Sequence, residues 1–124
     1  MELAISAERM AAYKRGARER LAREEQETRK RRAQAWDVAR RAAALLRAGF
    51  GARRVLVFGS LAAGTRFGVT SDLDLAVEGI TPEYFWRAWA ALDYIESPFE
   101  IDLVAIEYAP SKLFTAIQRE GVEL

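Results

Sequence analysis

For its first fifty residues the chain is dominated by charge, with apolar positions thickening only toward the end of that stretch. Ser6 is placed to cap a helix with Glu8 in its first turn, and no proline interrupts before the Gly49-Phe50-Gly51 stop. The pattern predicts one long helix, with Gly16 as its weak point. Its first half carries Arg15/Glu19, Arg20/Glu24, Arg23/Glu27 and Glu25/Arg29 at four-residue spacing. Its second half gathers Trp36, Ala39, Ala42, Ala43, Leu45 and Leu46 on an apolar face. The end of the helix should therefore pack on a body, and its beginning should project or meet a partner.

From Arg53 onward the pattern changes to short apolar runs separated by turn signals. Val55-Leu56-Val57-Phe58 reads as a buried strand, followed by a short helix near 61–63 with Ser60 as its N-cap, a loop over 64–68 and a second strand over 73–77. Thr81-Pro82-Glu83 opens a helix reaching about residue 95, with Thr81 as cap and Pro82 in the first turn. Phe85, Trp86 and Trp89 fall within one turn of that helix and read as core or interface. After Ser97-Pro98 a third strand is expected over 99–106, and Pro110-Ser111 starts a last helix ending at Gly121. Alternating strands and helices argue a layered α/β or α+β domain.

The chain of 124 residues has room for one modest core, organised as a helical arm over 1–50 and a compact part over 51–124. It contains neither cysteine nor histidine, which removes disulfides, thiolate zinc sites, cysteine nucleophiles and the usual catalytic triads. Any metal must then be held by oxygen, which favours Mg2+ or Mn2+. Residues 1–50 hold 13 Lys/Arg against 7 Asp/Glu, whereas 51–124 hold 6 against 11, so the arm is cationic and the rest anionic. That asymmetry bears on association more than on fold. The Arg29-Lys30-Arg31-Arg32 cluster is the best argument for a nucleic-acid partner, yet no aromatic residues interleave with it, and the helix is read instead as solvated or facing a protein. No apolar run approaches the roughly 18 residues of a membrane span and no secretory pattern opens the chain, so the expectation is a cytoplasmic protein.

Candidate chemistry concentrates in two short segments. Gly59-Ser60-Leu61-Ala62-Ala63-Gly64 turns sharply out of the first strand, and backbone N–H groups at such a turn suit phosphate oxygens. Ser71-Asp72-Leu73-Asp74-Leu75 places two carboxylates two residues apart, hence on one face of a strand, with the leucines directed to the core. Like charges so close repel unless a cation intervenes, which points to a hard divalent ion.

Taken in order, the Val-Leu-Val-Phe-Gly-Ser run, Gly64, the 71–75 segment, Ile101-Asp102-Leu103-Val104 and the closing Ile117-Gln118-Arg119-Glu120-Gly121-Val122 resemble the minimal nucleotidyltransferases (MNT) of the DNA polymerase beta superfamily. Those small proteins act as antitoxins beside HEPN-domain toxins, and the resemblance covers roughly residues 51–124. It implies a polymerase-beta-like fold, with a small mixed sheet flanked by helices, and a transferase moving a nucleoside monophosphate to a hydroxyl of a HEPN-type partner, AMP from ATP being the expected donor chemistry. It implies that Asp72, Asp74 and Asp102 are catalytic and hold magnesium, and that Gly59 and Ser60 bind the nucleotide. Paired cations in such a site activate an attacking hydroxyl and neutralise the leaving pyrophosphate. In this chain Ala63 stands where the pattern often has Arg, and eleven residues separate Ser60 from Asp72 where ten is usual, an insertion placed near 66–69 with Arg66 as a candidate replacement phosphate contact. Two further readings accompany the enzyme: an antitoxin of the same fold that acts by binding alone, and a nucleotidyltransferase that binds nucleic acid. Self-association of the long helix is also open.

Overall fold

The computed structural model describes residues 6–64, 67–68 and 71–124. Helix α1 spans Ala7–Phe50 without interruption. Ser6 Oγ accepts from the Arg9 N–H at its start, and Gly51, at φ 70°, closes its end by donating to the Arg47 and Leu46 carbonyls. This left-handed cap suits glycine, which carries no Cβ to clash there. Gly16 does not break the helix.

Strands β1 (Arg54–Phe58), β2 (Leu73–Glu78), β3 (Ile101–Ala105) and β4 (Val122–Glu123) form one sheet in the order β3-β2-β1-β4. β1 is antiparallel to both β2 and β4, while β2 and β3 are parallel and joined through helix α2 (Pro82–Ala91). The sheet is thus mixed, as the resemblance implied. Helix α3 (Ser111–Glu120) leads into β4.

Strand periodicity divides the sheet into two faces. Val55, Val57, Leu73, Leu75, Val77 and Leu103 point to the larger core, where they meet Ala35, Val38, Ala39, Ala42 and Leu46 of α1 and Ala88 of α2. Leu56 and Ala76 point the other way, onto Ile106 and Ile117. Small residues on α1 let the helix lie close to the sheet. The same helix is exposed from 7 to 27 apart from half-buried Gly16 and Ala17, so packing begins only in its second half. Leu46 is fully buried in that seam. Leu46→Ala should cost about 2–4 kcal/mol, read as a lower denaturant midpoint at unchanged slope.

Several expectations change. Residues 59–64 form a turn, with Ala63 N–H donating to the Gly59 carbonyl at 2.9 Å, and not the short helix expected at 61–63. So short a segment cannot offset the cost of helix nucleation. The helix opened by Pro82 is α-helical only to Ala91 and continues as a 3-10 turn over Leu92–Tyr94, and Thr81 occupies the cap position without a side-chain hydrogen bond. β3 begins at Ile101, later than expected, because Phe99 is buried edge-on against Phe67 instead of pairing. Beyond the last helix, where no strand was expected, Val122–Glu123 form β4. Trp86 is 69% exposed and stacks on Trp89, so it is not a core residue. Among the described residues, none of the four ion pairs expected along the front of α1 closes; the pair on this helix is Asp37–Arg41 at 3.1 Å. Exposed pairs gain too little to hold two long side chains in one place.

Candidate active site

The carboxylates come together because of register. β2 and β3 run parallel with Asp74 directly beside Asp102, and β1 places Phe58 opposite Asp74 on the other side. Asp74 and Asp102 therefore share the sheet face that α3 covers further along, through Leu56, Ala76 and Ile117, but they lie at its open end. Both are half-buried; Asp72 precedes β2 and is exposed. The approach to Asp72 is fixed locally, since Ser71 Oγ accepts from Gly68 N–H at 2.9 Å and Ser71 N–H donates to the Gly68 carbonyl. On the β3 side, Trp89 Nε1 donates to the Ile101 carbonyl at 3.0 Å, tying α2 to the residue before Asp102.

Gly59 ends β1 at φ 75°, and a Cβ on it would fall on the Asp74 carboxylate. The glycine thus serves two purposes: it permits the turn, and it leaves space for the carboxylate under the turn. Ser60 follows, half-buried, in the same turn. Of the predicted residues, Gly59, Ser60, Asp74 and Asp102 thus lie around the end of β1 and β2, while Asp72 stands exposed ahead of β2. Arg66, the candidate phosphate contact, lies outside the described residues.

Electrostatics mark Asp74 as the focus. Burial, then the Asp102 charge, then the Asp72 charge push its carboxyl up from 3.8 to about 6. All three causes penalise the same negative charge, and a divalent cation would relieve the two that are Coulombic. The all-oxygen donor set fits a hard ion. Among the described residues, however, no three acidic side chains are gathered tightly enough to cage one.

Two residues of the site's surroundings escaped sequence reasoning. Arg32 Nη2 donates to the Leu61 carbonyl within the 59–64 turn, and the Arg31 guanidinium lies 5.2 Å from the centre of the Phe99 ring. A usable signal existed: 31 and 32 stand four and three residues ahead of buried Ala35, on the stripe that continues through Val38, Ala39, Ala42 and Leu46. An open cleft of about 500 Å3 separates this part of α1 from Gly64, bordered by Leu21, Glu24, Glu25 and Arg29.

No protein-family model matches the chain, and no curated protein matches it. Solved structures do. A mutant of the MntA–HpeT toxin–antitoxin complex is similar over 68% of this chain and 69% of its own, at 26% identity and a TM-score of 0.53. A toxin–antitoxin structure with AMP-PNP is similar over 65% of this chain and 67% of its own, at 26% identity and a TM-score of 0.51. The complex of the tri-AMPylated Shewanella oneidensis HEPN toxin with its MNT antitoxin is similar in fold, at 21% identity, a TM-score of 0.51 and coverage of 72% of this chain and 70% of its own. Mixed sheet, turn and carboxylates define a nucleotidyltransferase-type α/β fold. Within that class, the fold is similar to that of the toxin–antitoxin structures that contain MntA or an MNT antitoxin.

Proposed function

We propose that this chain is the antitoxin of a HEPN-type toxin and acts on it as a nucleotidyltransferase, joining AMP from ATP to a hydroxyl of the toxin. The observation that carries the reading is the register that sets Asp74 beside Asp102 directly under the Gly59-Ser60 turn. Two similar structures support the choice of nucleotide and partner, one with AMP-PNP and one a toxin–antitoxin complex.

Gly59 and Ser60 present backbone N–H groups to the phosphates, and Asp72, Asp74 and Asp102 are the groups that would hold Mg2+. Bound there, the ion would supply charge neutralisation for the phosphates and acidify the attacking hydroxyl. The hydroxyl oxygen forms a bond to the α-phosphorus, the bond from that phosphorus to the α–β bridging oxygen breaks, and pyrophosphate leaves. The hydroxyl proton passes to Asp102, on the strand nearest the open edge. Orientation of the hydroxyl is left to the partner, and correct placement supplies several kcal/mol of such barriers. The 1–50 segment is assigned to partner association, its exposed front being available and cationic.

The test is an intact-mass measurement on a HEPN-domain protein encoded beside this chain, incubated with it, ATP and Mg2+. An added AMP on the HEPN chain, lost with EDTA and slowed by removal of residues 7–27, is the expected result. Full inhibition of the toxin with no mass change and no nucleotide would overturn the enzymatic reading in favour of inhibition by binding.

Among the described residues no helix is long and apolar enough to cross a membrane.

A further inference from the structure

We propose that Arg31 and Arg32 are positioning residues of the transfer site, through which α1 sets the place of the phosphate-binding turn and of the approach to Asp102; this rests on the nucleotidyltransferase reading. Four basic residues stand in a row at 29–32, but they divide by environment. Arg29 and Lys30 are exposed, whereas Arg31 and Arg32 are half-buried, where a guanidinium cannot be left to water alone. A solvated cationic stripe would expose all four alike.

Each of the two half-buried cations reaches a different wall of the site. Arg32 Nη2 donates to the Leu61 carbonyl at 3.3 Å, across 29 residues of sequence. Leu61 is itself almost fully buried, so its backbone is held by packing on one side and by the guanidinium on the other. The tie from a packed helix adds to the turn's own i to i+4 bond from Ala63 N–H to the Gly59 carbonyl, in a segment that no regular helix stiffens. Arg31 lies over the Phe99 ring, which packs on Phe67 at 5.1 Å between ring centres. Phe99 stands three residues before Asp102, and the adjoining Glu100 carbonyl accepts from Leu73 N–H at 2.8 Å, between Asp72 and Asp74. Arg31 therefore bears on the point where β2 and β3 first pair, which sets the register of the carboxylates. Adjacent residues on one helix thus hold the turn and the carboxylate strands at a fixed separation. Planar guanidinium groups suit both tasks, one as a fork of donors and one as a flat cation on an aromatic face.

Neither residue touches the nucleotide in this account, so the test must separate positioning from general stability. Amide hydrogen exchange on the full chain, without nucleotide, is compared for the parent, Arg32→Ala, Arg32→Met, Arg31→Ala and the exposed control Arg29→Ala. Arg32→Met retains the apolar stem and removes the donors, which keeps a folded variant available should Arg32→Ala not fold. Arg32 variants should speed exchange in 60–64 by about tenfold while buried β2 amides keep their protection, and Arg31→Ala should do so around 99–102. In the transfer assay the Arg32 variants should raise KM for ATP with kcat little changed, Arg31→Ala should lower kcat, and Arg32→Lys should restore part of the Arg32 loss. Unchanged exchange in the turn, or exchange raised evenly along the chain, would overturn the proposal whether or not the parent transfers nucleotide. Absence of transfer by the parent with local loosening in the variants would instead overturn the nucleotidyltransferase reading and leave the structural clamp standing.

Discussion

Asp74→Asn should abolish nucleotidyl transfer and, above pH 6, make the protein more stable. The loss of activity is expected to reach at least about a hundredfold, since in the proposed site the substitution removes a charge from a group that would hold the metal. The gain in stability follows from linkage. The folded chain keeps a proton on Asp74 up to about pH 6, whereas the unfolded chain releases it near 3.8. Between those values the folded state binds more protons, so its stability falls as pH rises and the cost is fully present above 6. Below the unfolded value both states are protonated and the cost vanishes. The neutral amide escapes this penalty, which solvent screening reduces to about 1 kcal/mol. Denaturant titrations of parent and variant should therefore diverge at pH 8 and coincide at pH 3.5. Adding Mg2+ at pH 8 should raise the parent's melting temperature and leave that of Asp74→Asn nearly unmoved. A variant that loses both activity and stability at pH 8 would contradict the picture of a crowded carboxylate.

Gly59→Ala carries the second large effect, and here stability and function fall together. A methyl group at this position would meet the Asp74 carboxylate, and the backbone angle of 75° disfavours any residue with a Cβ. Strain of this kind costs about 1–3 kcal/mol. Relief comes only by moving the turn or the carboxylate, and either movement pulls apart the two halves of the site. Calorimetric titration should show ATP binding in the presence of Mg2+ weakened by more than about tenfold, with a lower denaturant midpoint in the same sample. Gly64→Ala is the informative comparison: it has a similarly positive φ but open space around it, so it should reproduce the backbone cost without the collision.

The contrast between these glycines shows what the sequence could disclose. Both announce a turn, but only the fold shows which one has a carboxylate beneath it. The bounds of α1 were legible because Ser6 and Gly51 are chemical end signals, each satisfying backbone groups that a helix leaves open. The alternation in 73–77 likewise separated the leucines from Asp74. That Asp102 lies beside Asp74 depends on a parallel pairing set through the whole α2 crossover, and local pattern carries no register information over such a distance. β4 was missed for a related reason: two residues have no periodicity, and Val122–Glu123 is a strand solely through its partner β1. Trp86 was left between core and interface because size and apolarity say what a side chain would gain by burial, not whether a neighbour covers it. Arg31 and Arg32 were obscured by Arg29 and Lys30, which make the run look like one feature when the helical period divides it into two.

The unbroken course of α1 also gives the molecule a lever. At about 1.5 Å per residue, the portion ahead of Arg31 extends roughly 36 Å beyond the point where the helix grips the 59–64 turn. A tilt of about 5° about that fulcrum displaces the tip by roughly 3 Å while the turn shifts by a small fraction of it. Movements at the 59–64 turn too slight to measure directly are thus magnified at the far end. A pair of probes, one on the exposed tip near Tyr13 and one on the body, would read the site from a distance without touching it.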